Sequence, residues 1–504
     1  MAQYFRTLPF FVVLLFAAAA ATLIPSVYGV AVDDHASARV FFYSGLLVAV
    51  AAVLLGFATQ ARKRPETDQA YLISLMLSYV WLPAVLSVPM FEAVGNTRAI
   101  NVYFDMVSAL TTTGAPIFEP DRLADTVHLW RATVGWLGGL LIWVTAMAVL
   151  APLNLGGFEV TSEARTGQMT PNSGQMRAAA PSERLRKQAA TLAPIYAGLT
   201  ATLALGLTVA GERPLVALIH AMSTLSTSGI TVTGGLKQSG AGIAGEVMIL
   251  IFFVFALTRR SFTSGIGSQA RDILRRDREV RLAIFAVVVL SAVLFARHWL
   301  AAFEVNELAD AEGAVGALWG SIFTVMSFLT TTGFVSESWA GAQSWSGLET
   351  SGLILVGVAI MGGGVATTAG GVKLLRVYAL YKHGAREIER LVHPHSVAGA
   401  GRLGRRIRRE GAFVAWIFFM LFLLSMAAVM LALTATGLPF EPALMLAVAA
   451  LSTCGPLATV AGTEPTIYMA LEDPAKIVLA AAMILGRMET LVLIAAFNPT
   501  FWRS

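Results

Sequence analysis

The chain of 504 residues is 56% hydrophobic and 13% charged, with a mean hydropathy of +0.69. That excludes a soluble globular domain and places it among polytopic membrane proteins. One cysteine, Cys454, leaves no internal disulfide framework, no zinc-type Cys/His spacing occurs, and the formal charge of +5 is concentrated in connectors between apolar runs, which argues against a nucleic-acid partner.

The first apolar run, Leu8–Val30, follows Arg6 and has the alanine-rich middle of a signal peptide. A second run, Val40–Ala58, comes after only a short polar turn with Asp33, Asp34 and His35, and Arg62-Lys63-Arg64 follows it. Residues 1–66 therefore read as a two-span hairpin rather than a cleaved leader. Residues 67–188 contain a span at Tyr71–Phe91, a re-entrant segment at about Asn101–Ala115, external acids (Glu119, Asp121, Asp125), a span at Val127–Leu153 and a polar connector, Asn154–Gln188. Residues 189–281 repeat the pattern: a span at Ala189–Val209, a re-entrant segment from Pro214 to Ile230, a span at Ile243–Leu257 and the basic stretch Arg259–Arg281.

In residues 282–410 a span at Leu282–Leu300 leads to acids at Glu304, Glu307, Asp310 and Glu312 and a re-entrant segment ending at Phe334. A long apolar run, Leu348–Tyr381, is broken by glycines and precedes the basic connector Arg386–Arg409. Residues 411–504 supply Gly411–Thr436, the re-entrant segment Glu441–Pro456 and a last span at about Pro474–Phe497. The expected fold is an all-α polytopic membrane protein, a two-span hairpin followed by four span–half-helix–loop–span units around one pore. Placing the termini and connectors in the cytoplasm puts 27 of the 36 Lys and Arg there, in agreement with the positive-inside rule. By the same partition 19 of the 31 Asp and Glu are external. An acid-rich mouth concentrates cations, although solvation of loops explains any one of these acids equally well.

Each re-entrant segment ends in the same pattern: Leu110-Thr111-Thr112-Thr113-Gly114, Leu225-Ser226-Thr227-Ser228-Gly229, Leu329-Thr330-Thr331-Thr332-Gly333 and Leu451-Ser452-Thr453-Cys454-Gly455. The glycines are 115, 104 and 122 residues apart, so each copy belongs to a unit of its own. A cation crossing a bilayer exchanges its hydration shell for oxygens, which rings of backbone carbonyls supply. Glycine lets successive carbonyls turn toward one axis, and the preceding half-helices present their partly negative C-terminal ends. A single copy reads as ordinary small-residue helix packing; four copies, each between hydrophobic spans, read as one cation-selective ring. Its candidate residues are Thr112, Thr113, Gly114, Thr227, Ser228, Gly229, Thr331, Thr332, Gly333, Thr453, Cys454 and Gly455.

Two further stretches carry information. Met361-Gly362-Gly363-Gly364-Val365-Ala366-Thr367-Thr368-Ala369-Gly370-Gly371-Val372-Lys373 cannot hold a stable helix in mid-span. Broken backbone at membrane depth is tolerated only where protein or a water-filled cavity satisfies it, so this run is expected below the ring, as a gate or as a passive packing site. Lys373 is expected to snorkel to the cytoplasmic interface. In Gly486-Arg487-Met488-Glu489, an arginine within a span faces the protein interior, and Glu489, two residues on, is on the wrong face of a helix to pair with it.

The four Thr-Thr-x-Gly-type loops, the hairpin before them, the glycine run and Gly-Arg-x-Glu together resemble the potassium-translocating subunit of the bacterial Trk system, in the Trk/Ktr/HKT superfamily, over essentially the whole chain. The resemblance implies potassium as the transported ion and a filter of the four loops. It implies a gate of Gly362, Gly363, Gly364, Ala366, Thr367, Thr368, Gly370 and Gly371, with Arg487 beneath the filter controlling permeation. It also implies a homodimer in the bacterial inner membrane with a cytosolic nucleotide-binding regulatory ring. The fourth loop departs from the pattern, with Cys454 and Pro456 around its glycine, and the second continues with Ile230-Thr231 rather than an aromatic.

No phosphate-binding glycine motif followed by Lys-Ser/Thr is present, so nucleotide is expected only on a partner and no enzymatic role is expected. The basic connectors suit that partner, or they set topology and touch anionic lipid. The rival reading is a proton- or sodium-coupled secondary transporter with Glu489 as its intramembrane acid. A membrane enzyme or sensor subunit is less well served. His393 and His395 lie in a basic connector, and no buried acid–histidine constellation stands out.

Overall fold

The computed structural model describes residues 9–60, 67–153, 180–236, 239–258, 277–305, 311–346, 352–393, 409–462 and 464–489. All regular structure among them is helical. Arg62, Lys63, Arg64, Arg165, Arg177, His395 and the last span beyond Glu489 lie outside the described residues.

The hairpin consists of α1 (Phe10–Ala21), α2 (Leu23–Ala31) and α3 (His35–Gln60). At the break between α1 and α2, the Thr22 hydroxyl donates back to the Ala19 carbonyl at 2.8 Å. Glycines let the two arms pack closely: a Cβ built on Gly29 would lie 3.1 Å from that of Ala38. α4 (Asp68–Val94) begins at an N-cap where Thr67 accepts from the Ala70 N–H at 3.3 Å and carries Pro83 and Pro89 within it. After it come α5 (Ala99–Leu110), α6 (Asp125–Thr145) and a π turn at Ala146–Leu150. α7 (Pro181–Val209) and α8 (Pro214–Ser226) both open on proline, which loses no helical hydrogen bond there. α9 (Gly242–Phe252) and α10 (Val254–Leu257) form a broken span.

The second half contains α11 (Arg278–Val305), α12 (Ala311–Leu329), α13 (Trp339–Ser346) and α14 (Gly352–Met361). The glycine run ends α14 as composition requires, and helix resumes only in α15 (Leu374–Val392). α16 (Arg409–Ala435), α17 (Phe440–Leu451), α18 (Leu457–Val460) and α19 (Asp473–Met488) complete the chain. Seven of the described helical segments are long and apolar enough to cross a membrane, so the protein is a multi-pass membrane protein. Its outer helices are turned inside out relative to a soluble protein: Leu47 is 67% exposed and Leu431 73%, surface that only lipid solvates without penalty.

The four short helices α5, α8, α12 and α17 end in the buried centre, where Thr111, Thr112, Thr113, Ser228, Thr331, Thr332 and Thr453 have almost no exposure. Buried ion pairs and hydrogen bonds brace them. Arg131 on α6 makes a bidentate pair with Asp105 on α5, both bonds at 2.8 Å. Glu246 on α9 accepts from Trp319 at 2.6 Å, Ser336 at 2.8 Å and the Glu337 N–H at 2.7 Å. Asp105 and Glu246, grouped by sequence with the acids of the external mouth, are therefore internal struts. Replacing Arg131 by Leu is expected to lower stability by about 3–5 kcal/mol, because it strands a buried carboxylate. The double change Asp105→Leu with Arg131→Leu should recover most of that loss, as read from thermal melts of the detergent-solubilised protein.

Candidate functional site

All four half-helices end in the same unusual way. The second residue beyond each helix, Thr112, Thr331 and Thr453 at φ 54°, 57° and 54°, stands in the left-handed region, as does Thr227 (φ 54°) directly after α8. The following N–H reaches back five residues: Thr113 to Ser108 at 2.8 Å, Ser228 to Ser223 at 3.0 Å, Thr332 to Ser327 at 2.9 Å and Cys454 to Ala449 at 2.8 Å. This is Schellman-type closure with a β-branched threonine where glycine usually stands, at a strain of about 1–3 kcal/mol each. Such strain persists only where the surroundings demand the side chain. Three of the four hydroxyls show what demands it: Thr112 and Thr453 accept from Arg487, and Thr331 accepts from the Gly370 N–H at 2.7 Å.

The loops meet in chain order and close a ring. A Cβ added to Gly114 would overlap the Ser228 carbonyl oxygen, and one on Gly229 the Thr332 carbonyl oxygen. One on Gly333 would sit 2.9 Å from Cγ of Pro456, and one on Gly455 would run into the backbone of Ala115. Gly114, Gly229 and Gly333 have φ of 66°, 66° and 81°, available without cost only to glycine. Gly455 does not share that conformation; its N–H donates to the Thr113 carbonyl at 2.6 Å. All twelve candidate ring residues thus lie together, with carbonyl oxygens at the contacts between loops and four helix C-termini behind them.

Directly beneath lies the glycine-rich segment. Gly362, Ala366 and Gly371 adopt φ of 70°, 55° and 75°, and the segment is laced to three half-helix ends. Thr368 donates to the Leu225 carbonyl at 3.0 Å, Gly370 to Thr331, and a Cβ on Gly370 would overlap the Ser452 carbonyl and the Thr453 hydroxyl. Arg487 supplies the remaining ties, donating to the Thr111 carbonyl at 2.7 Å and the Thr368 carbonyl at 2.8 Å as well as to Thr112 and Thr453. Its guanidinium answers both the geometry and the negative ends of α5 and α17.

The space left there is a cavity of about 20 Å³ lined by Ile142, Ala146, Thr367, Gly370, Arg487 and Glu489 among others, room for roughly one water molecule and none for a hydrated ion. The π turn Ala146–Leu150 forms one wall.

From the far side, Gly364 donates to Ala256 at 3.0 Å, the Thr367 hydroxyl donates to the same carbonyl at 3.0 Å, and the Val365 N–H donates to Glu279 at 2.8 Å. Thr258 donates to Asp277 at 2.7 Å. These two acids sit in a stretch that reads from sequence only as basic. Lys373 departs from expectation: it stands at φ 83°, is 6% exposed, and its ammonium donates to the Ala369 carbonyl four residues back rather than reaching the interface. Glu489 pairs not with Arg487 but with Arg376 at 2.7 Å, and the Arg376 guanidinium lies 3.7 Å from the centre of the Phe418 ring.

Comparison with known proteins identifies the family and the fold. The profile of the TrkH family, described as cation transport protein, matches residues 271–504. The chain is 30% identical over 443 residues to the Trk system potassium uptake protein TrkH of Salmonella typhimurium, covering 87% of this chain and 86% of that protein. To the protein of the same name from Escherichia coli K12 it is 28% identical over 489 residues, with 95% of each covered. The crystal structure of the potassium transporter TrkH from Vibrio parahaemolyticus superposes with a TM-score of 0.82 at 25% identity, covering 99% of this chain and all of that one. The chain belongs to the TrkH family of cation transport proteins.

Proposed function

We propose that this protein carries potassium inward across a bacterial inner membrane, through a pore whose filter is the ring of four loops and whose gate is the glycine-rich segment with Arg487. The observation that carries the reading is that four loops meet in a ring and the glycine-rich segment is hydrogen-bonded to their ends. The relatives named for potassium uptake supply the ion. Four pore units, 67–188, 189–281, 282–410 and 411–504, follow the 1–66 hairpin in this reading, with both termini cytoplasmic. The membrane potential drives the ion at about 2.3 kcal/mol per charge per 100 mV, so the chain needs no hydrolysis of its own and is not an enzyme. A homodimer engaging a cytosolic nucleotide-binding ring through the basic connectors completes the assembly. The proton- or sodium-coupled alternative is weakened because its acid, Glu489, is committed to Arg376.

The test is rubidium and sodium flux into proteoliposomes, with wild type and Gly114→Ser compared. Any side chain at Gly114 overlaps the Ser228 carbonyl and meets a left-handed backbone. Wild type should favour rubidium, and the variant should lose about tenfold in the rubidium-to-sodium ratio, the equivalent of ~1.4 kcal/mol. Silence of the chain alone calls for the same measurement with the regulatory partner and nucleotide; continued silence there rejects the reading. A flux that follows an imposed pH gradient at fixed potential points instead to proton coupling.

A further inference from the structure

The fourth loop is built differently from the other three, at atoms that matter for an ion. Gly114 and Gly333 direct their N–H groups back to their own half-helices, to Ser108 and Ser327, each at 3.3 Å. Gly455 sends its N–H to the Thr113 carbonyl of the adjacent first loop, while its own carbonyl accepts from the Tyr468 hydroxyl at 2.8 Å. Tyr468 is 1% exposed and its ring packs against Phe104 of α5, centroids 5.9 Å apart, so the acceptor is held by an immobile donor. Pro456 removes the left-handed option from its predecessor. Its pyrrolidine ring reaches the glycines of two of the other three loops: a Cβ on Gly229 would lie 3.0 Å from Pro456 Cγ, and one on Gly333 2.9 Å.

We propose that Tyr468 is a positioning residue that sets ion specificity: together with Pro456 it keeps the Gly455 carbonyl on the Tyr468 hydroxyl and the Gly455 N–H on the Thr113 carbonyl. The Thr113 oxygen is then shared with the Gly455 N–H and the Gly455 oxygen with Tyr468, so a dehydrated cation meets oxygens already engaged at the fourth loop and is held less selectively than by free ones. Releasing the fourth loop sharpens selectivity rather than degrading it, the opposite of what loss of a purely structural hydrogen bond would do. The proposal rests on reading the ring as the filter.

The experiment compares initial rubidium and sodium flux in proteoliposomes of the full chain, with its regulatory partner if flux requires it, for wild type, Tyr468→Phe, Pro456→Ala and Gly114→Ser. Tyr468→Phe keeps the packing on Phe104 and should raise the rubidium-to-sodium ratio about threefold or more, the worth of one neutral hydrogen bond. Pro456→Ala should move it in the same direction and decides the matter if Tyr468→Phe does not fold. An unchanged or lowered ratio in the variants that fold, with Gly114→Ser still relaxing selectivity, overturns the role of Tyr468 and leaves the filter standing. If Gly114→Ser also leaves the ratio untouched, the ring is not the filter and both readings fall.

Discussion

Arg487→Ala should raise rubidium flux through the chain alone by tenfold or more. The guanidinium bonds the glycine-rich segment and the ends of α5 and α17 at once, through Thr368, Thr111, Thr112 and Thr453. Each hydrogen bond to a charged group is worth about 1.5–3 kcal/mol net. Losing the bond to Thr368 alone therefore shifts a closed-to-open equilibrium by one to two orders of magnitude. A second effect adds to it. A fixed positive charge about 4 Å from a permeating ion opposes it by ~4 kcal/mol at an effective dielectric of 20. The measurement is initial rubidium uptake into proteoliposomes with external sodium as competitor. Unaltered flux from a folded variant rejects the arginine as part of the gate.

Much of this arrangement was legible before any coordinates, and the reason is repetition. Four copies of one loop at unit spacing demand a common role, and the glycine run breaks a helix wherever it stands; both expectations rest on backbone chemistry that sequence displays directly. What stayed hidden are the partnerships. Asp105 in an apolar half-helix looks like a mouth acid until Arg131 is seen beside it. Glu279 looks like an incidental acid in a basic connector until it is found accepting the Val365 N–H, 86 residues away. Tyr468 carries no motif, and nothing near it in sequence announces a hydrogen bond to the fourth loop. The burial of Lys373 is hidden for a related reason: snorkelling assumes a helical exit, whereas this residue stands in the left-handed region with its ammonium on the Ala369 carbonyl.

The left-handed threonines join the two halves of the site. Their hydroxyls are held by Arg487 and by the Gly370 N–H, so on the proposed reading of the segment as a gate its withdrawal would free oxygens at the inner end of the ring as it clears the path. Ring and segment form one hydrogen-bonded system, and on that reading a change that unseats the segment should alter conduction more than stability.

Gly370→Val is the sharpest case. A Cβ there meets the Ser452 carbonyl, and both it and the Thr453 hydroxyl belong to the tightly packed end of α17. The half-helix cannot yield, because Ser452 is tied to Val448 at 2.8 Å and Cys454 to Ala449 at 2.8 Å. The segment, bound by a handful of polar contacts, must move instead. Its bond from Gly370 to Thr331 goes with it, and the closed state loses roughly 1–3 kcal/mol for each buried group left unpaired. Rubidium flux from the chain alone should rise severalfold or more, with the rubidium-to-sodium ratio held near the wild-type value because no ring residue is substituted and the half-helix end stays in place. Gly357→Val is the matched control: its added Cβ meets open space on a helix feeding the same segment, and flux should stay at the wild-type level. Equal flux from wild type and Gly370→Val in a folded protein would mean that the segment is packing rather than a gate.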